Sequence, residues 1–253
     1  MAIIGDVFGL TSIYERQVEN IANDNFESWP ESATYGYFGG GFAPPLVTTV
    51  DRIDFSNETT SAPGNNLTQA RRYLAAVSSS SYGYFGGGIA PPNVATIDRI
   101  DFSNETFSAP GNNLPSGRNG LGAVSSSSYG YFGGGDAPPL VTTVDRIDFS
   151  NETTSAPGNN LTQARSELAA VSNSSYGYFG GGLTPPYVTT VDRIDFSNET
   201  TSAPGNNLTQ ARANLAAVSS SSYGYFGGGF APPLVTTVDR IDFSNETTSA
   251  PGN

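Results

Sequence analysis

Apolar and polar residues alternate along most of this chain in bursts of four to nine residues, separated by clusters of Gly, Pro, Ser and Asn. One stretch shows the pattern. Leu74-Ala75-Ala76-Val77 is a small apolar run closed by the serines Ser78 to Ser81, and Tyr82 to Phe85 is an aromatic run with Gly83 interleaved. Val94 to Phe102 alternates, and the turn chemistry of Asp101-Phe102-Ser103-Asn104-Glu105-Thr106 leads into a fourth short run. Period-two runs of this length, bounded by turn formers, predict strands. Gly86 to Gly88 with Pro91-Pro92, and later Pro110-Gly111-Asn112-Asn113, stop the chain. Gly83 predicts a strand with one face close against another backbone. The stretch therefore reads as four antiparallel strands, with no helical period anywhere in it.

The same pattern recurs. Tyr-Gly-Tyr-Phe-Gly-Gly-Gly begins at Tyr35, Tyr82, Tyr129, Tyr176 and Tyr223, each start 47 residues after the last. Five four-stranded units of this period predict an all-β, five-bladed β-propeller over residues 31–253, preceded by a separate arm over residues 1–30. The first blade lacks an obvious inner strand, because Glu27 to Thr34 keeps nothing of Leu-Ala-Ala-Val. We expect residues 26–34 to serve as a degenerate first strand in a five-blade ring; continuation of the native polypeptide is the alternative.

The order Arg71, Ala76-Val77, Tyr84-Phe85-Gly86-Gly87, Ile100-Asp101 resembles the kelch family over residues 35–253. That resemblance implies kelch-like blades. A third glycine, and Thr60 or Ser61 where the family carries a Trp, depart from its pattern in the outer strand.

In the arm, Ser12-Ile13-Tyr14-Glu15 has the form of a capping box. Ile13, Tyr14, Val18 and Ile21, with Gln17, would share one side of a short helix that needs a docking surface, either its own propeller or an assembly partner. Neither a basic leader nor an apolar run near the roughly 20 residues of a membrane span occurs, so membrane insertion is not expected.

Composition narrows the chemistry. The chain has no Cys, His or Lys, and its 11 basic residues, all Arg, face 23 Asp and Glu for a net charge of -12. A disulfide framework, a thiolate nucleophile, an imidazole base and an ordinary zinc or copper site are thereby excluded. The acidic balance argues against nucleic acid. Residues 1–31 hold six acids and one Arg, whereas a unit holds three acids (Asp51, Asp54, Glu58) against two arginines (Arg52, Arg71). The acidity thus sits largely in the arm.

No catalytic constellation stands out, and no cofactor or metal is expected. The best-known catalysts among kelch-like propellers resemble galactose oxidase, whose copper site needs His and a Cys-linked Tyr that this chain lacks, and the sialidase-type Asp box is missing. In Asp51-Arg52-Ile53-Asp54 we expect Asp54 to cap its own turn and Arg52 to pair with a carboxylate of its own or a neighbouring blade; calcium is the alternative, but the spacing matches no compact loop. Arg71, Arg118, Arg165 and Arg212 are expected to donate to backbone carbonyls between blades, and the repeated tyrosines to pack between blades. The repeated Asn-Glu-Thr, formally a glycosylation sequon, reads as a turn.

Differences between the five units concentrate in two places. One is the loop after the glycines: Phe42, Ile89, Asp136, Leu183 and Phe230, then Leu46, Asn93, Leu140, Tyr187 and Leu234. The other follows the repeated Arg: Arg72-Tyr73, Asn119-Gly120, Ser166-Glu167 and Ala213-Asn214. In an up-and-down blade both loops share one rim, so these residues form the candidate binding surface, with neutral drift after duplication as the competing account. The near-identical units also resemble proteins of marine tailed bacteriophages. That resemblance implies a non-enzymatic virion structural or adhesion protein, with the arm binding other virion proteins or sister subunits and the rim meeting a host-surface glycan or protein. A free-standing lectin-like or protein-binding propeller is the alternative.

Overall fold

A computed structural model describes residues 2–4 and 34–251. Within them the chain is all-β, a five-bladed β-propeller in which every blade is a four-stranded antiparallel sheet, and no helix occurs among the described residues. Blade 1 consists of β1 (Ala2–Ile4), β2 (Tyr35–Phe42), β3 (Leu46–Asp54) and β4 (Thr59–Ser61). Blade 2 consists of β5 (Ala75–Ser78), β6 (Tyr82–Gly86), β7 (Ile97–Asp101) and β8 (Phe107–Ser108). Blades 3, 4 and 5 repeat this order as β9 to β12 (residues 122–155), β13 to β16 (169–202) and β17 to β20 (216–249).

One expectation is corrected here. The inner strand of blade 1 is β1, paired with β2 through Ala2↔Gly39, Ile3↔Phe38 and Ile4↔Tyr37, the same register in which Ala75 meets Gly86 in blade 2. The place expected of residues 26–34 is thus taken by β1. The start of the chain is therefore part of a blade and not wholly a separate arm. The helix face of Ile13, Tyr14, Val18 and Ile21 lies outside the described residues.

Turn chemistry closes each blade. After the inner strand, Ser79 Oγ accepts the N–H of Tyr82 at 3.0 Å and of Ser81 at 3.2 Å. After β7, Asp101 Oδ1 accepts from the N–H and the hydroxyl of Ser103, which together hold its carboxyl below the usual carboxylate range. Asn104 Oδ1 likewise accepts from the N–H and hydroxyl of Thr106 at 2.9 and 2.6 Å. The sequon is thus a structural turn, as expected, and Asp54 caps its turn through Ser56 in the same way.

The core lies between blades. Each of four apolar clusters joins one blade to the next, as where Tyr131 and Val144 of blade 3 meet Leu161, Leu168 and Phe179 of blade 4. A Cβ on Gly133 would stand 2.7 Å from Phe179 of the next blade, so that position admits only hydrogen. Gly130, inside the Tyr-Gly-Tyr run, faces the side chain of Val77 in the preceding blade; the close neighbour predicted there is a side chain and not a backbone. Tyr131 stacks on Phe196 of blade 4 with centroids 5.4 Å apart and donates its hydroxyl to Glu199 at 3.0 Å. Burial and that carboxylate push the Tyr131 pKa up.

Arg146 pins the same carboxylate at 2.8 Å while lying over the ring of Tyr129. Arg52, expected to pair with a carboxylate of its own or a neighbouring blade, pairs with Glu105 of the next blade at 2.7 Å. The second tyrosine of each run packs between blades at four junctions, whereas the first rests under its own blade's Arg.

The four arginines before the inner strands are fully buried and donate to backbone carbonyls as expected, but within a blade and not between blades, and each also pairs with an Asp. Arg71 pairs with Asp98 at 2.6 Å and donates to Phe85 O at 3.0 Å, both in the blade it leads into. The between-blade bond is made instead by its own carbonyl, which accepts the Gly41 N–H at 2.9 Å. Asp145, Asp192 and Asp239 repeat the pair with Arg118, Arg165 and Arg212.

Candidate functional site at the loop rim

The up-and-down order of each sheet places the second-to-third-strand loops and the blade-connecting loops on one rim, as the variation pattern requires. The two variable segments do more than share it. They pair: Arg72 bridges Ile89, which bridges Asn93; Asn119 bridges Asp136, which bridges Leu140; Ser166 bridges Leu183, which bridges Tyr187; and Ala213 bridges Phe230, which bridges Leu234. Phe42 and Leu46 face each other as the last pair of the β2–β3 ladder. None of these residues, nor Tyr73, Glu167 or Asn214, is buried apart from Ser166 and Ala213.

Backbone hydrogen bonds carry the rim from blade to blade. Gly120 N–H donates to Tyr73 O at 2.9 Å, Glu167 N–H to Gly120 O at 2.6 Å, and Asn214 N–H to Glu167 O at 2.9 Å. All four sit in the left-handed region, with φ of 56° at Tyr73, 63° at Gly120, 56° at Glu167 and 54° at Asn214. Side chains add links that differ at every blade. Asn119 Nδ2 donates to Asn93 Oδ1 at 2.9 Å, Asn93 Nδ2 to Asp136 O at 2.7 Å, and Asn214 Nδ2 to Glu167 Oε2 at 2.8 Å. Tyr187 and Phe230 meet edge to face at 5.7 Å across blades 4 and 5. The result is a main-chain belt of fixed geometry carrying side chains that differ from blade to blade.

The opposite rim differs. Its serine turns and Asn-Glu-Thr turns are nearly invariant between units, and open clefts of about 380 and 410 Å³ lie between blades there, lined by residues such as Ser127, Ser128, Tyr129 and Asp148. Among the described residues no group of three or more carboxylates could hold a metal ion, and no helix is long and apolar enough to cross a membrane.

Sequence reasoning missed the repeated glutamate. Glu105, Glu152, Glu199 and Glu246 each leave a turn at φ of 57° to 59° to reach the Tyr and Arg of the preceding blade. Only its persistence in all five turns, where Gly or Asn would suit the backbone better, was available as a signal.

The fold and rim thus define a five-bladed β-propeller with one constant and one varied rim. No protein-family model matches the chain, and no curated protein matches it.

Proposed function

We propose that this is a non-enzymatic structural and adhesion protein of a virus particle, a kelch-like propeller of a phage tail fibre, whisker or similar appendage that presents its loop rim to a host surface or partner protein. The observation that supports the display role is the identity of the residues on the belt. Left-handed backbone favours Gly and Asn and costs other residues about 1 kcal/mol or more, so unselected drift at these sites should settle on Gly or Asn. Tyr73 and Glu167 stand there instead, with their side chains at the surface. The virion assignment is supported by the likeness of the repeat to tailed-phage proteins, and in it residues such as Ile13, Tyr14, Val18 and Ile21 attach the propeller to its particle. The aromatic content of the rim, Phe42, Tyr73, Tyr187 and Phe230, favours the second reading of a free-standing lectin.

A glycan and host-protein array probed with the full chain tests the display role. Replacing Phe42, Tyr73, Tyr187 and Leu234 together by Asn should reduce binding at least tenfold with the melting curve retained; unchanged binding by that variant overturns the assignment of the rim.

A further inference from the structure

Ten arginines lie among the described residues, and eight are in ion pairs. Arg240 is a framework arginine, over Tyr223 and donating to Ser249, at a blade face with no following blade among the described residues. Arg72 is different. Its equivalents are Asn119, Ser166 and Ala213, so nothing in the repeat requires a cation there.

We propose that Arg72, Phe42 and Tyr73 form a binding site for an acidic saccharide, one carrying a carboxylate or a sulfate. The inference rests on the reading of the loop rim as the binding face.

Three observations carry it. First, the Arg72 guanidinium carbon lies 5.0 Å from the ring centroid of Phe42 and 5.0 Å from that of Tyr73. Two rings hold the cation by its π-attraction, while its N–H donors have no acceptor among the described residues. A planar fork of donors matches a carboxylate or sulfate through paired hydrogen bonds. Second, Phe42 is 58 % and Tyr73 42 % exposed, leaving apolar ring surface beside the cation on which the C–H face of a sugar can rest. Third, the site is ordered in advance. Arg72 exchanges both backbone hydrogen bonds with Ile89 at 3.2 and 2.8 Å, and Tyr73 is fixed in the belt by Gly120. Little ordering is left for the ligand to supply.

A saccharide fits better than an acidic peptide. Peptides commonly add a strand to a free edge or fill a groove, and here the rim backbone is already spent in bridges between its own loops. The net charge of -12 repels anions at long range, so contact chemistry and not steering must supply the affinity.

Calorimetric titration of the full chain at about 0.15 M salt, where charges screen within roughly 8 Å, tests this. The ligands are a galacturonate trisaccharide, a sulfated galactose trisaccharide, the neutral galactose trisaccharide and sodium sulfate. We expect one site per chain for at least one acidic sugar, with the neutral sugar at least tenfold weaker. Arg72→Ala should weaken binding at least tenfold and Phe42→Ala severalfold, both with unchanged melting temperature, and Arg72→Lys should restore only part of the loss. Absence of binding by both acidic sugars, equal binding of the neutral sugar, inorganic sulfate binding as tightly as the sulfated sugar, or indifference to both alanine variants each overturns the inference. An array ligand that tolerates Arg72→Ala but fails with the four-residue rim variant overturns this site and leaves the rim reading intact; one that tolerates both removes that reading too.

Discussion

The junction between blades 3 and 4 and the outward face of blade 5 are written in the same residues and live in different surroundings. At the first, Tyr131 is stacked and hydrogen-bonded, Arg146 is paired, and Gly133 lies beneath Phe179. At the second, among the described residues, the equivalent Tyr225 has no cross-blade ring or carboxylate, Arg240 has no acid, and a Cβ on Gly227 would meet only Val238 of its own blade. Val218 is 63 % exposed where Val124 of blade 3 is 4 % exposed. Blade 1 shows the complementary deficit: Glu58 adopts the same left-handed turn at φ 59° with no Tyr or Arg to hold among the described residues, and Phe55 is exposed. The difference teaches that the 47-residue unit is half of two interfaces and not a self-sufficient body. What a residue contributes is set by the blade beside it, so the molecule contains its own controls.

The largest contrast is expected at the first Asp of Asp-Arg-Ile-Asp. Asp192 is fully buried and neutralises buried Arg165, so Asp192→Ala leaves an uncompensated interior charge and should cost about 3–5 kcal/mol in urea unfolding. Asp51 is exposed and has Asp24 one period before the repeated Arg, so Asp51→Ala should change stability by less than about 0.5 kcal/mol. Equal losses at both sites would show that blade 1 holds an arginine against Asp51 in solution.

A smaller contrast separates two glycines. Gly133→Ala forces a methyl against Phe179 and should cost about 1–3 kcal/mol, whereas Gly227→Ala makes only an ordinary contact with Val238 at 3.8 Å and should be nearly silent. Thermal melts of the two variants decide it, and a large loss at Gly227 would mean that the blade 5 face is covered. The smallest effect differs in sign. Glu152→Gly relieves a left-handed backbone but removes the acceptor of Tyr84 and Arg99, so a net loss near 1 kcal/mol is expected. Glu58→Gly relieves the same strain with no partner to lose among the described residues, and should stabilise by up to about 1 kcal/mol. Two variants of the same sign would break the comparison.

Much of this was legible in the sequence because the repeat is so faithful. Tyr-Gly-Tyr-Phe-Gly-Gly-Gly, the serine turns and Asp-Phe-Ser-Asn-Glu-Thr fixed strands and turns to within a few residues, and the variable pairs fell on one rim as the up-and-down order demands. What escaped was non-local. Ala2-Ile3-Ile4 matches the small apolar pattern of Ala75-Ala76-Val77, but a search at fixed period looks only at residues 27–34 and never thirty residues upstream of Tyr35. The Glu105 carboxylate reaches the previous blade, and no local pattern names a partner 68 residues away. Likewise, Arg71 and Asp98 lie 27 residues apart, and no local pattern joins them before the fold brings them together.

The belt of main-chain bonds from Tyr73 through Gly120 and Glu167 to Asn214 separates holding from showing. Because each link uses only an N–H and a carbonyl, a side chain that accepts the twist of the backbone can be exchanged without breaking the belt. A lineage that copies one 47-residue unit therefore gains an additional, independently editable position on the rim, and the molecule works as a typeface frame in which each blade holds one exchangeable character.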